Sequence, residues 1–190
     1  MGHIMLSRRK FMLGIATVAI TTSLPAFAAK RKNFRVKRKY RPKNVRFSGH
    51  PVGTIVVDAK NHYLYLVTKR GRARRYGVGL GKLGLAFNGS AIIGRKAKWP
   101  RWTPTANMIK RDPKRYRKFA GGLPGGVNNP LGARALYLFR NGRDTYFRIH
   151  GTTEPWSIGT NVSSGCIRMV NAHVEDLYER VKIGARVVVI

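Results

Sequence analysis

Two aromatic, alternating stretches joined by Asn141-Gly142 constrain this chain more than any other feature. Leu136-Tyr-Leu-Phe139 and Thr145-Tyr-Phe-Arg-Ile149 flank a dipeptide that takes up the positive φ angles of a two-residue hairpin turn. Alternation with period two gives a strand one apolar face, and gives a helix none. The pattern recurs upstream. Gly53-Thr-Ile-Val-Val-Asp58 is β-branched, His62-Tyr-Leu-Tyr-Leu-Val-Thr68 alternates, and Asp58-Ala-Lys-Asn61 supplies turn residues between them. Arg72 to Val78 reads as a third strand and Arg186 to Ile190 as the last. The one convincing helix falls at about 172–181, with Asn171 placed to cap it, Glu175 and Asp176 near its start, and Gly184 ending the segment. The expected fold is mainly β: a β-sandwich or barrel of mixed sheets, one main helix near the C-terminus, and long loops. The longest of these loops is the glycine- and proline-rich span from Gly79 to Gly132, with Trp99-Pro-Arg-Trp-Thr-Pro104 inside it. Irregular spans of this length inside a domain often carry function, and this one is a candidate lid.

Charge divides the chain. Its 190 residues hold 38 Lys and Arg against 7 Asp and Glu, a net charge of +31, so the surface attracts polyanions. Lys30 to Arg46 carries ten cations in seventeen residues and no acid. Such a block repels itself and buries little apolar area, so residues 29–47 are expected to be a disordered basic tail. Ahead of it, Ser7-Arg8-Arg9-Lys10-Phe11-Met12 matches a twin-arginine export motif, an apolar run to Ile20 follows, and Ala26-Phe27-Ala28 is a small-x-small cleavage site. Residues 1–28 therefore read as a signal peptide, with 1–4 a cloning scar or a misplaced start ahead of Met5. The alternative is an uncleaved anchor. Export directs the protein to the periplasm and cell envelope, where its polyanions are wall polymers and lipid headgroups rather than nucleic acid. Removing the leader takes away only Arg8, Arg9 and Lys10, so the basic character belongs to the mature chain.

Cys166 is the single cysteine, so no internal disulfide can form and the thiol is either an inert buried group or a free nucleophile. A thiolate attacks acyl carbonyls, and a nearby imidazole can take the thiol proton. His150 ends a strand, and Cys166 follows a tight Ser163-Ser164-Gly165 turn whose N–H groups can face a bound carbonyl, as an oxyanion hole requires. Taken alone, this pair fits a buried cysteine and an unrelated histidine better than a catalytic pair. His50, His62 and His173 lack a cysteine partner and read as surface residues. No Cys/His/Asp cluster has metal spacing, so no metal and no cofactor is expected. Gly79-Leu-Gly81-Lys-Leu-Gly84 matches a dinucleotide-binding fingerprint, but Leu-Ala-Phe-Asn-Gly-Ser90 after it starts no helix and no acid lies about twenty residues on, so that reading is rejected.

The whole segment from His150 to Met169 resembles the motif of the L,D-transpeptidase catalytic domain family (YkuD-like). The likeness extends from about Gly53 to Ile190, through Trp99-Pro, Trp102-Thr-Pro104, Pro124-Gly-Gly126 and Asn129-Pro-Leu-Gly-Ala133. The catalytic domain is accordingly placed at residues 50–190. The resemblance implies Cys166 as nucleophile, His150 as base, and the Gly151 carbonyl orienting the His150 ring. It also implies an oxyanion hole from backbone N–H groups around Ser164, Gly165 and Cys166. Arg168 would bind a substrate carboxylate or else be a surface cation, Trp156 would line the cleft or else pack, and Ser163 would contact substrate. Ser164 stands where many members carry a second histidine, a departure that bears on substrate positioning. The implied activity is periplasmic formation of 3→3 peptidoglycan cross-links from stem peptides through a Cys thioester. Attachment of outer-membrane proteins, L,D-carboxypeptidase side activity and inhibition by carbapenems come with it. The basic tail would hold the protein at anionic envelope surfaces. The rival reading is a non-catalytic peptidoglycan- or polyanion-binding protein.

Overall fold

Asp58 closes the first turn: its Oδ1 accepts the Asn61 N–H at 3.0 Å and its Oδ2 accepts the Asn61 side-chain amide at 2.8 Å. The computed structural model describes residues 34–81, 89–163 and 165–190. The leader, residues 1–28, and the start of the basic segment, 29–33, lie outside the described residues. In chain order the strands are β1 Lys43–Arg46, β2 Ile55–Asp58, β3 Tyr63–Lys69, β4 Arg72–Gly77, β5 Leu80–Gly81 and β6 Gly89–Lys98. They continue with β7 Arg134–Arg140, β8 Arg143–His150, β9 Asn161–Ser163, β10 Ile167–Arg168 and β11 Arg186–Val189. Helices are α1 Ala106–Arg111, α2 Pro113–Tyr116 and α3 Asn171–Arg180.

Nine strands form one mixed sheet in the order β1-β4-β3-β2-β11-β6-β7-β8-β10, with β2–β11 and β8–β10 parallel and the other pairs antiparallel. The parallel pair β5–β9 stands apart from it. Ile55, Val56 and Val57 of β2 are all fully buried, as a strand covered on both faces requires. Val174 and Leu177 of α3 pack into the same core as Leu64, Tyr76, Leu136, Ile149 and Val187. Asp176 pins α3 to β4: it accepts from Arg74 Nε at 2.5 Å, from the Tyr76 hydroxyl at 2.8 Å, and from Arg180 at 2.8 Å.

Three expectations are corrected. Residues 34–46 are an ordered part of the domain. Arg38–Tyr40 forms a 3-10 turn, and β1 is the edge strand of the sheet, paired with β4 from Lys43↔Arg75 to Arg46↔Arg72. Charge density argued for disorder, yet Tyr40 is 6% exposed, and the like charges across the ladder have other partners or face water. Arg75 lies 4.1 Å over the Tyr63 ring and donates to the Lys39 carbonyl at 3.2 Å.

The second correction concerns residues 79–132, which are not one long loop. They contain β5, the ten-residue strand β6 and the short helices α1 and α2. Ala91 and Ile93 of β6 face the core, but Gly94 and a run of cations hide the alternation. Those cations have interior partners: Arg95 stacks 3.5 Å from the Tyr137 ring centre, and Lys96 donates to the Tyr178 and Val181 carbonyls at the end of α3, each at 2.6 Å. Helices α1 and α2 bury no residue, so they leave no periodic stripe to read.

Third, Asn171 does not cap α3. The capping position is Val170, with no side-chain cap, and Asn171 Oδ1 instead accepts the Ala133 N–H at 3.2 Å and the Thr152 N–H at 3.1 Å. A cap is exchanged for an acceptor shared by two loops that have none of their own. Asn171→Ala therefore leaves two backbone donors unpaired and should lower stability by roughly 2 kcal/mol. Asn171→Asp, which keeps the acceptor, should recover most of that. Urea unfolding of the three proteins measures it, and equal midpoints for Ala and wild type would remove the assignment.

Candidate active site

Strand β10 is two residues long and lies parallel to the end of β8, Ile167 opposite Ile149 and Arg168 opposite His150. The Met169 N–H extends the ladder to the His150 carbonyl at 2.8 Å. Residues in register on parallel strands share a face. Ile149, Ile167 and Met169 go into the core. The alternate positions, Arg148 and His150 on β8 and Arg168 on β10, take the opposite face, and Cys166 stands two residues before Arg168. On its other side β10 is bridged to Gly79, with Gly79 N to Arg168 O at 2.9 Å and Arg168 N to Gly79 O at 2.7 Å.

The thiol lies over the backbone of β8. Cys166 Sγ is 3.9 Å from the Tyr146 carbonyl oxygen, and the Arg148 N–H also faces it. Between the pairs Tyr137↔Arg148 and Phe139↔Asp144 the ladder slips, so Thr145, Tyr146 and Phe147 oppose Leu138 alone. Tyr146 sits there at φ +62, its N–H held by Asp144 Oδ1 at 2.8 Å. The bulge turns a strand backbone toward the sulfur.

His150 is 4% exposed. Its Nδ1 lies 2.5 Å from the Gly151 carbonyl oxygen, which only accepts, so Nδ1 carries the proton and Nε2 the lone pair. The Leu131 carbonyl also bears on the ring. Burial is the main cause that pulls the His150 pKa down to about 4; Arg168 and then Arg148 push the same way, and the Gly151 and Leu131 carbonyls oppose. Burial likewise raises the Cys166 thiol, against the Arg148 N–H and the charges of Arg148 and Arg168. Both groups are therefore neutral near pH 7: an imidazole and a thiol, not an imidazolium–thiolate pair.

Each arginine has its own carboxylate. Arg148 makes a two-point contact with Asp144 at 2.6 and 2.8 Å, and Arg168 Nη1 meets Glu154 Oε2 at 2.7 Å. Arg168 is thus neither a bare surface cation nor an unpaired anion binder. Gly165 is buried at φ +131, a conformation in which a side chain would be strained. Ser163 ends β9, its backbone paired with Gly81, and Ser164 lies outside the described residues. Trp156 is 63% exposed in the turn Pro155–Ser157, so it does not serve as core packing.

His62 bonds through Nε2 to Asn161 Oδ1 at 2.9 Å. His173, expected on the surface, is half-buried, its Nδ1 is shielded from solvent, and burial lowers its pKa. Among the described residues no three His, Cys, Asp or Glu side chains gather as a metal site. Sequence reading missed Arg148, although it lies two residues before His150 on the same strand face. It also missed Leu131. Buried Asn129 shapes that loop by donating to the Leu123 and Pro124 carbonyls and accepting the Leu131 N–H at 2.9 Å.

The sequence profile described as L,D-transpeptidase catalytic domain (YkuD) matches residues 53–189. "Probable L,D-transpeptidase ErfK/SrfK" of Escherichia coli K12 is 32% identical over 140 residues, 73% of this chain and 44% of that protein. The chain thus spans less than half of that relative's length. A Mycobacterium smegmatis L,D-transpeptidase shares the fold, with TM-score 0.50 and 17% identity over 72% of this chain and 58% of its own. A Brucella melitensis protein solved under the name "Probable carnitine operon oxidoreductase caia" is 54% identical, with TM-score 0.58, covering 82% of this chain and 96% of its own. Among the described residues of the glycine motif, Gly79 bridges β10 and Leu80–Gly81 pairs with β9, while Lys82 to Gly84 lie outside the described residues. With the profile matched across most of its length, this chain belongs to the L,D-transpeptidase catalytic domain (YkuD) family.

Proposed function

We propose that this protein is an exported cysteine acyltransferase that makes 3→3 cross-links in peptidoglycan. One observation supports the reading most: a buried, neutral His150, protonated on Nδ1 against the Gly151 carbonyl, on the strand beside Cys166. The Cys166 sulfur attacks the acyl carbonyl of the third residue of a donor tetrapeptide stem while its proton passes to His150 Nε2. The tetrahedral oxyanion takes hydrogen bonds from backbone N–H groups around Ser164, Gly165 and Cys166. The C–N bond to the terminal D-alanine breaks, His150 returns the proton to the leaving amine, and a thioester remains. The side-chain amine of a second stem attacks the thioester and passes its proton to His150. The C–S bond breaks, the amide forms and the thiol is restored. Water in place of the amine gives L,D-carboxypeptidase activity, and an envelope protein's amine gives attachment of that protein to the wall. Carbapenems would acylate the same sulfur. Because the resting pair is neutral, proton transfer accompanies attack.

Purified protein incubated with disaccharide-tetrapeptide should release D-alanine. Cys166→Ala should abolish release, and His150→Gln should lower kcat/KM by about 10²–10⁴. Release by the Cys166→Ala protein, followed by stem mass spectrometry, would end the reading.

The buried imidazole also sets an acid limit on folding. Unfolded His150 titrates near 6.5 and folded His150 near 4, so from pH 6.5 downward the unfolded chain binds a proton that the folded chain refuses. Stability held above pH 6.5 falls as the pH approaches 4, by about 3 kcal/mol from this group. Urea midpoints at pH 7 and pH 4.5 should differ less in His150→Gln than in wild type; identical pH dependence would show the imidazole to be solvated.

The basic segment keeps its role in this proposal but changes form. Exposed Arg35, Lys37, Arg38, Lys39, Lys43 and Arg46 stand on the docked segment and edge strand, a charged face suited to anionic envelope surfaces. Replacing Lys37, Lys43 and Arg46 by Gln should weaken salt-sensitive pull-down by isolated cell walls and leave D-alanine release from soluble substrate unchanged. Equal wall binding would refute the role.

A further inference from the structure

The segment ahead of residue 53 lies outside the family match, yet it packs against the loop that joins His150 to Cys166. Tyr40 is 6% exposed, anchored by the Tyr40 N–H to Lys37 carbonyl bond at 2.9 Å, and its ring packs at 5.8 Å from that of Tyr63. It sits on two glycines. A Cβ at Gly77 would overlap the Tyr40 Cβ, and a Cβ at Gly159 would overlap its ring and hydroxyl. Gly77 ends β4, and Gly159, at φ +86, lies in the loop that carries the chain from His150 to Cys166.

That loop is fastened along one rail, residues 78–81. The Gly159 N–H donates to the Val78 carbonyl and the Leu80 N–H to the Thr160 carbonyl, both at 2.9 Å; β5 pairs with β9, and Gly79 bridges Arg168. Tyr40 fills the corner where rail and loop meet. The loop end that leads through β9 to Gly165 and Cys166 therefore stands on a side chain contributed by the N-terminal segment.

We propose that Tyr40 is a positioning residue for the nucleophile. By filling the corner between Gly77 and Gly159 it sets the seat of the loop and thus the placing of Cys166 over the β8 backbone. The ring does this by volume, so the hydroxyl is dispensable. The inference rests on the reading of Cys166 as nucleophile, and its test includes a readout that does not need turnover.

In the full chain, three variants decide it: Tyr40→Phe, Tyr40→Leu and Tyr40→Ala. Two measurements are made on each, kcat and KM for D-alanine release and the pH profile of Cys166 alkylation by iodoacetamide, with urea unfolding to confirm that the protein is folded. Tyr40→Phe should stay within about 3-fold of wild type in both. Tyr40→Leu and Tyr40→Ala should lose 10-fold or more in kcat with KM changed less than 3-fold, and should shift the alkylation profile, because the sulfur's contacts with β8 are what loop placement alters. A folded Tyr40→Leu protein with wild-type kcat and alkylation profile overturns the proposal. So does Tyr40→Phe behaving like Tyr40→Ala. If wild type releases no D-alanine, the transpeptidase reading fails while the alkylation profiles still decide the role of Tyr40.

Discussion

Two pairs of parallel backbone, Ile167 on Ile149 and Arg168 on His150, bring Cys166 and His150, the proposed nucleophile and base, to one part of the sheet. A ladder this short is weak by itself, since each hydrogen bond contributes about 1 kcal/mol net. Burial decides the matter. Ile149, Ile167 and Met169 are each at least nine-tenths buried, and each such side chain stabilises by about 1.5–3 kcal/mol. The same alternation that drives these three into the core leaves Arg148, His150 and Arg168 on the other face. Packing on one side of the sheet thus sets the register of the chemistry on the other.

Burial first, and the charges around the site second, set the resting protonation of His150. In a chain with 38 cations and 7 acids, two of the acids, Asp144 and Glu154, lie against the two site arginines. They leave enough positive potential, added to burial, to keep His150 neutral. Burial in turn keeps the thiol protonated. The Gly151 carbonyl does for the ring what a carboxylate does in a Ser-His-Asp triad, orienting it without adding a charge.

The N-terminal segment shows why charge density is a poor guide to order. Its cations point to water or lie over rings and carbonyls, and one buried tyrosine with four residues of edge pairing is enough to dock it. The carbonyl end of α3 receives half-buried Lys96, and exposed Arg95 lies over the Tyr137 ring.

Alternation, turn residues and the His150–Cys166 motif made β2, β3, β4, β7, β8, β11 and α3 legible, each within about two residues of its ends, because local pattern dictates local structure when one face is buried. The same reading named the candidate cysteine, the histidine and its carbonyl partner. It missed β1 and β6, whose cations mask their alternation, and α1 and α2, which bury nothing. It misjudged Asn171, because an acceptor needed by two distant loops outweighs a local cap. Only the tertiary structure decided which groups surround the site: the bulge at Tyr146, the Leu131 carbonyl, the carboxylates of Asp144 and Glu154, and Tyr40 beneath Gly159. These neighbours come from chain segments as far apart as Tyr40 and Gly159, and spacing along a sequence carries no information about contacts that only long-range packing creates.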